Sequence, residues 1–464
     1  MRLHLPLDGT GPLRQRLYRD LREALKQGRL KFGEKLPPSR ELAESLGIGR
    51  KTVVEAYEQL TAEGFFMARS GSGTFVCRLP PADEPEPPVP GPGPGSHWRP
   101  LPAWVGQEAP RRFNFAGGVT DRRWLPHEEW RRALLQALRD DARDTRLYGD
   151  PCGDQDLRRA IAHYLAYSRG LPCAADDILV TQGAQQGLDL LARVRIAPGD
   201  TVAVEEPGYP PARAVLEARG ARVVGVPVDD QGLRVDRLPS PVSLIYVTPS
   251  HQFPLGMPMG LERRLELLAF ARRNRALVVE DDYDGEFRFE GRALDALKSL
   301  DRNQQVAYLG SFSKVLHADL RVGYMVMPLG LAAALRQAKV FNDGYSPVLT
   351  QRALALLMES GAFARHLRRM QRLYLRRRHR LITALEAARA PWTVLPQVAG
   401  LHLAVRFNQP VDGLAEKLAE AEIGALDLGM FHHPARQGSG VLLGLGMIDE
   451  ASIEAGVDAL AGCL

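Results

Sequence analysis

Leu13, Leu17, Leu21 and Leu25 recur every four residues, the spacing that lays one apolar stripe along a helix, and Gly28 marks its predicted end. Ser39 stands where it can cap a second, short helix carrying Leu42, Ala43 and Leu46, and Gly47-Ile48-Gly49 predicts a tight turn. A third helix opens at about Arg50, with Val53, Tyr57 and Leu60 toward a core. After Gly64, alternating residues from Phe65 to Val76 around Ser70-Gly71-Ser72-Gly73 predict a hairpin. Two short helices about a Gly-containing turn, followed by a hairpin, form the pattern of a helix-turn-helix with a wing.

From Phe113 the pattern changes: short β-rich runs alternate with helical segments, which predicts an α/β domain with a parallel sheet. Seven candidate strands are Ile178–Thr181, Val202–Glu205, Arg222–Val226, Leu244–Thr248, Leu277–Asp281, Val306–Gly310 and Tyr324–Met327. Between the two patterns lie ten prolines in the 23 residues from Pro80 to Pro102. Such a stretch spaces domains without packing as one. The expected division is residues 1–79, a linker over 80–110, and a body over 111–464. At about 3.1 Å per residue the Pro-rich stretch spans some 60–70 Å, against a radius of gyration near 20 Å for a body of that size. The front module can therefore reach past its own body to a second subunit.

Composition narrows the class. Of 464 residues, 45% are apolar and 25% charged, which excludes a mainly disordered, collagen-like or membrane-spanning chain. The longest apolar stretch, Gly440–Ile448, is too short to cross a bilayer, and Met1–Leu13 lacks a signal-peptide pattern, so the expected setting is the cytoplasm, with no membrane partner. Four scattered cysteines give neither a disulfide framework nor a metal site. Charge is more telling. Residues 1–79 hold 14 Lys and Arg against 9 Asp and Glu, which accounts for the whole net +5. A small basic module on a neutral body points to a polyanion partner. The third helix opens with Arg50-Lys51-Thr52, where a recognition helix meets the major groove. With Ser39, Arg40, Arg69 and Gly73 these are the candidate contacts to double-stranded DNA, although any one arginine taken alone is equally a solvated charge.

In open α/β sheets ligands sit at the carboxyl ends of strands. Ile178–Thr181 runs into Gln182-Gly183-Ala184-Gln185 and a helix, a phosphate cradle by mechanism. Leu277–Val279 ends in Glu280-Asp281-Asp282-Tyr283-Asp284, which read alone is equally a solvated turn. Val306–Gly310 ends in Ser311-Phe312-Ser313-Lys314, with Arg321 and Gly323 following. Together they offer an amine for a Schiff base, a carboxylate for a ring nitrogen, a phenol for a ring hydroxyl and donors for a phosphate, the needs of pyridoxal phosphate. The Arg365–Arg380 segment holds eight arginines, with Phe363, Leu367, Met370 and Tyr374 defining the apolar face of a helix. It reads as a solvated or dimer-facing helix, or as an auxiliary phosphate-contacting surface.

The run Leu36-Pro-Pro-Ser-Arg-Glu-Leu-Ala, with Arg50-Lys-Thr-Val-Val-Glu-Ala-Tyr and Gly71-Ser-Gly-Thr-Phe-Val, resembles the winged helix of GntR-superfamily repressors over residues 10–77. One departure is Gly49, where that family often has a capping Ser. The strand-end constellation resembles a fold-type I aminotransferase. The resemblance implies Lys314 as the Schiff-base lysine, Asp281 as the pyridinium partner and Tyr283 as the phenol. Gly183, Ala184, Gln185, Ser311, Ser313 and Arg321 fall at its phosphate site, and Tyr209 stacks on the ring. It also implies a mainly parallel seven-stranded sheet and a small C-terminal α+β subdomain. The whole, with Thr248-Pro-Ser-His-Gln-Phe-Pro-Leu-Gly, Glu280-Asp-Asp-Tyr-Asp-Gly-Glu-Phe and His366-Leu-Arg-Arg-Met, resembles the MocR-type regulators (the GabR and PdxR group) from residue 10 to 464. That likeness implies a head-to-tail, domain-swapped homodimer.

Two positions depart from ordinary aminotransferases. Phe253 falls where they place an Asn near the ring hydroxyl, which leaves Tyr283, Gln252 or His251 for that contact. Val441 or its neighbour stands where an Arg clamps the substrate carboxylate, and an aliphatic side chain cannot replace a bidentate clamp. Arg122, Arg123 and Arg436 are candidate substitutes. The leading expectation is a regulator of operator DNA modulated by pyridoxal phosphate, or by an amine forming an external aldimine with it. The alternatives are a working aminotransferase with an appended DNA-binding domain, and a regulator whose cofactor is structural.

Overall fold

The computed structural model describes residues 5–8, 10–77, 111–145, 148–291, 294–435 and 438–464. The predicted linker over 80–110 and Arg436 lie outside them. The chain divides into two compact units, a front module termed the reader and a large body.

The reader's stripe folds as predicted, into helix α1 over Leu13–Lys26, with Leu17, Leu21 and Leu25 buried. Helix α2 spans Ser39–Leu46 and α3 spans Arg50–Ala62. Gly47, at φ +64°, ends α2 in the left-handed region that glycine tolerates, and so permits the turn between them. Leu42, Ala43, Val53, Ala56, Tyr57 and Leu60 close one core with the α1 leucines. Each fully buried leucine contributes about 1.5–3 kcal/mol. The wing pairs Phe66–Arg69 antiparallel with Gly73–Val76. One expectation fails: Ser39 does not cap α2. Pro38 occupies the cap position, its carbonyl accepting from Leu42 N at 3.0 Å, and no side chain caps the helix. Ser39 is already helical, and its hydroxyl accepts from Arg50 Nε at 3.4 Å instead.

All seven predicted runs of the body are strands. The sheet has eight, because Gly232–Leu233 adds a two-residue edge after a turn. Its order is Ile178–Thr181, Gly323–Val326, Val306–Ser311, Leu277–Asp282, Leu244–Val247, Thr201–Glu206, Arg222–Asp229 and Gly232–Leu233. The five strands from Val306–Ser311 to Arg222–Asp229 run parallel, whereas Gly323–Val326 is antiparallel to both neighbours. Buried aliphatic residues fill both faces, as a sheet covered on each side requires. The parallel register sets Asp281 beside Leu309 and Asp282 beside Gly310, so the acidic and the lysine-bearing strand ends open at one edge. A C-terminal subdomain adds the antiparallel sheet Trp392–Val394, His402–Phe407, Gly440–Gly444 and Leu426–Asp427. Among the described residues no helix is long and apolar enough to cross a membrane.

The arginine-rich helix, Ala362–Ala387, buries Phe363, Leu367, Met370 and Tyr374 as predicted. Two of its eight arginines are buried as well. Arg377 donates to the carbonyls of Leu445 and Gly446, and Arg378 to that of Gln397, so both tie the helix to the subdomain.

Candidate functional site

Lys314 follows the strand Val306–Ser311, and its amine donates to the carbonyl of Gly118. Burial lowers its pKa below the ordinary lysine value, partly offset by the negative charges of Asp284 and Asp281. The acids of the Glu280–Asp284 run are buried rather than solvated, which removes the turn reading. Asp281 accepts from Tyr246 Oη at 2.6 Å through one oxygen, while its other oxygen is buried without a partner. Burial pushes its pKa up to about 6, against the Tyr246 hydrogen bond and the charge of Lys314. A ring N–H directed at that unpartnered oxygen would satisfy it, so the residues present fit a protonated pyridine.

The helix Ala184–Arg195 opens after Gly183, which caps it with no side chain and sits at φ +87°. Its first N–H groups lack intrahelical acceptors, as at every helix start. Arg321 crosses over Gly183 and donates to Gln182 O at 2.7 Å. A Cβ on Gly183 would lie 3.2 Å from that guanidinium, and one on Gly323 would meet the Gly183 backbone at 2.8 Å. Glycine at both positions lets strand, helix start and arginine converge. Ser311 Oγ accepts from Ser313 N at 3.1 Å. Gln185 lies on the first turn, with its side chain donating to Pro211 O at 3.3 Å. Positive dipole, guanidinium and hydroxyls thus gather at one end of the cleft, where a phosphate dianion is favoured.

The opposite side is apolar. Phe253 packs edge-on against Tyr209 at 5.6 Å, Tyr283 at 5.7 Å and Phe431 at 5.0 Å between ring centroids. Val441 is buried in the main core, while its neighbour Leu442 joins Ala404, Leu428 and Phe431 in a cluster with Phe253. Leu442 abuts Gly117, next to the Gly118 that receives the lysine. The two candidate substitute clamps among the described residues are both engaged. Arg122 pairs with Asp319, and Arg123 with Asp121 at 2.7 Å and Asp449 at 2.8 Å. Gln252 is committed too, its amide donating to Glu205, Pro207 O and Phe253 O at 3.3, 2.9 and 2.7 Å. Tyr283 Oη instead meets His251 Nδ1 at 2.8 Å. Sequence reasoning passed over Gly118, Tyr246 and His402, and gave Asp284 no role of its own within the acid run. Gly118 and Tyr246 are silent in a motif, since a backbone carbonyl or a strand-interior tyrosine leaves no chemical signature.

In the reader, Arg40, Arg50, Lys51, Arg69 and Gly73 are exposed, with Ser39 and Thr52 half-buried at the helix starts. Arg69 lies over the Phe75 ring at 5.0 Å, which braces the wing. Gly49 caps α3 without a side chain, as the sequence implies.

The family model described as "Bacterial regulatory proteins, gntR family" matches residues 13–76, and "Aminotransferase class I and II" matches 116–438. A probable rhizopine catabolism regulatory protein, MocR, of Rhizobium meliloti is 38% identical over 99% of this chain and 95% of its own. The pyridoxine biosynthesis transcriptional regulator PdxR of Corynebacterium glutamicum is 33% identical over 94% of this chain and 92% of its own. The chain belongs to the MocR-type transcriptional regulators. The body of this MocR-type regulator also superposes on a kynurenine aminotransferase of Pyrococcus horikoshii, with TM-score 0.71 and 28% identity over 76% of the chain and 91% of that structure. A MocR-type regulator carries its DNA-binding module and an aminotransferase body in one chain. The aminotransferase fold in turn implies pyridoxal phosphate.

Proposed function

We propose that this regulator binds operator DNA through its reader, holds pyridoxal phosphate on Lys314, and alters its grip on DNA according to what the cleft contains. One observation carries the reading: a cleft whose lysine, acid and anion-cradle sides are furnished, facing a wall of Phe253, Phe431 and Leu442 with no cation for a carboxylate among the described residues.

When bound, the cofactor would supply an aldehyde that captures amines and a ring that withdraws electrons. Lys314 is the amine that holds it, and its lowered pKa raises the neutral, nucleophilic fraction near pH 7. Asp281 accepts the ring N–H, Tyr283 turns its hydroxyl to the ring oxygen, and Tyr209 covers a ring face. Gly183, Ala184 and Gln185, at the helix start, hold the phosphate with Ser311, Ser313 and Arg321. Because the far wall is apolar, common α-amino acids are not turned over at a useful rate, and the effector is pyridoxal phosphate itself or an amine. In the reader, Arg40, Arg50, Lys51 and Thr52 face the groove from the starts of α2 and α3, with Ser39 between them and Arg69 and Gly73 on the wing. The active form is a homodimer, arranged head to tail by the long linker.

A ligand shifts the DNA equilibrium only by its differential affinity for the two states, and the linkage is reciprocal. Operator titrated against apo and cofactor-loaded protein at fixed salt, with and without amines, should give affinities differing about 5–150-fold. Identical isotherms in every state would remove the sensing role. Turnover of ordinary amino acids at about 1 s⁻¹ or faster, typical of enzymes, would make it an aminotransferase.

A further inference from the structure

Behind Tyr283 lies a buried pair that the roles above leave unused. His251 follows the strand Leu244–Val247 and Asp284 the strand Leu277–Asp282, and both side chains are 1% exposed. His251 Nδ1 lies 3.1 Å from Asp284 Oδ1 and 2.8 Å from Tyr283 Oη. The second oxygen of Asp284 accepts from Leu401 N at 2.9 Å. Burial by itself would raise the Asp284 pKa, but the charge and hydrogen bond of His251 hold it below the ordinary carboxylate range.

An ionised carboxylate only accepts, so the hydrogen must sit on His251 Nδ1. That same N–H faces the Tyr283 oxygen, which therefore accepts as well. The phenol's own hydrogen is turned away from His251 and left for another acceptor. The imidazole has little room to swing: a Cβ on Gly400 would fall 1.8 Å from His251 Cε1, so this backbone, at φ +93°, lies against the ring. At the start of the C-terminal-sheet strand His402–Phe407, His402, its ring 5.0 Å away, pairs through Nε2 with Pro254 O at 3.1 Å. Burial lowers the His402 pKa to about 3, so it stays neutral. The other ionisable groups around Tyr283 are Asp281 and Asp282 on its own strand and Glu205 across the sheet, with Lys314 acting on Asp281 and His402. Of the candidate donors to a ring oxygen, Phe253 has none to offer and the Gln252 amide is committed.

Resting on the reading that pyridoxal phosphate occupies this cleft, we propose that His251, held by Asp284, is a positioning residue that aims the Tyr283 hydroxyl at the cofactor's ring oxygen. It supplies through Tyr283 the donor that Phe253 cannot.

The test uses full-length protein reconstituted with pyridoxal phosphate: wild type, His251→Ala, His251→Asn, Tyr283→Phe and the isosteric Asp284→Asn. Borohydride trapping with mass spectrometry first establishes occupancy, and the cofactor's visible absorbance is then titrated with pH. A donor on the ring oxygen favours its deprotonated form, so losing the donor raises the midpoint. His251→Ala should raise it by about one pH unit, Tyr283→Phe about as far, and the double variant no further. His251→Asn keeps an N–H at the same reach and should restore most of the shift. In Asp284→Asn the carbonyl oxygen stays on Leu401 N and the amide donates to Nδ1, so the imidazole no longer donates to Tyr283 Oη, the hydroxyl loses its aim and the midpoint rises here too, and this variant decides the matter if His251→Ala fails to load. An unmoved midpoint in loaded His251→Ala, or in Asp284→Asn if that variant must decide, overturns the proposal, even where the melting temperature falls. A wild-type protein that traps no cofactor instead overturns the reading of the cleft, and the proposal with it.

Discussion

In the reader, Arg40, Arg50, Lys51 and Arg69 stand in water on the surface of a small helical core. In the body, Glu205, Glu280, Asp281, Asp284 and His402 are buried among packed strands, and Lys314 is half-buried beside them. Exposed cations act at range, through a field that salt screens, and need little fixed geometry. Buried groups are costly unless partnered, so each must be placed to a fraction of an ångström. Glu205 illustrates the cost: burial lifts its pKa to about 7, although Thr248 and Gln252 donate to it.

Replacing the residue on which the body's chemistry rests should give the largest effect. Lys314→Ala is expected to leave no borohydride-trapped cofactor while the reader still binds DNA. A trapped cofactor on another lysine would break the assignment. Next, Leu21→Ala empties a fully buried site in the reader, and should cost about 2–5 kcal/mol. Operator binding should fail while cofactor loading persists. Loss of both would show that the two units do not fold independently.

Acid should expose the buried histidines of the body. Burial lowers the pKa of His366 to about 4 and of His402 to about 3. The unfolded chain takes up these protons near the ordinary 6.5 while the folded body does not, so the contribution of each histidine to body stability falls as pH drops from about 6.5 toward about 4 for His366 and about 3 for His402, whereas the raised carboxyls of Glu205, Glu280 and Asp281 act in the opposite sense. At pH 5.5 the loss is about 1.4 kcal/mol for each histidine. The reader has no histidine among its described residues. Calorimetry between pH 7.5 and 5 should therefore show the wild-type body's transition losing ground to that of a His402→Gln variant, with the reader's transition the same in both. Equal movement of the two body transitions would remove the distinction.

Arg50→Ala should weaken operator binding by about 1–3 kcal/mol and relax specificity at one base pair if it reads a base edge. A uniform, smaller loss with a shallower salt dependence would make it a phosphate contact. The smallest effect is expected of Gly49→Ser, which offers α3 the cap it lacks. The gain should be a few tenths of a kcal/mol in reader stability, read as a slight rise in its melting temperature.

What the chain specifies by itself is whatever depends on near neighbours. The four-residue leucine spacing, the seven β-rich runs and the Gly47 turn each follow from local periodicity or backbone freedom, and the folded chain keeps them all. The strand-end motifs also named the residues that gather in the cleft, because parallel topology sends strand ends to one edge. Pairing was decided only in three dimensions. Ser39 lost its cap role to the ring-fixed Pro38 one residue earlier. Arg122 and Arg123 found Asp319 and Asp449, far along the chain. Asp281 found Tyr246 on the adjacent strand, and His251 rather than Gln252 came to stand behind Tyr283. A hydrogen bond or ion pair depends on which elements converge and which groups are dried there. Neither is a property of any short stretch of sequence.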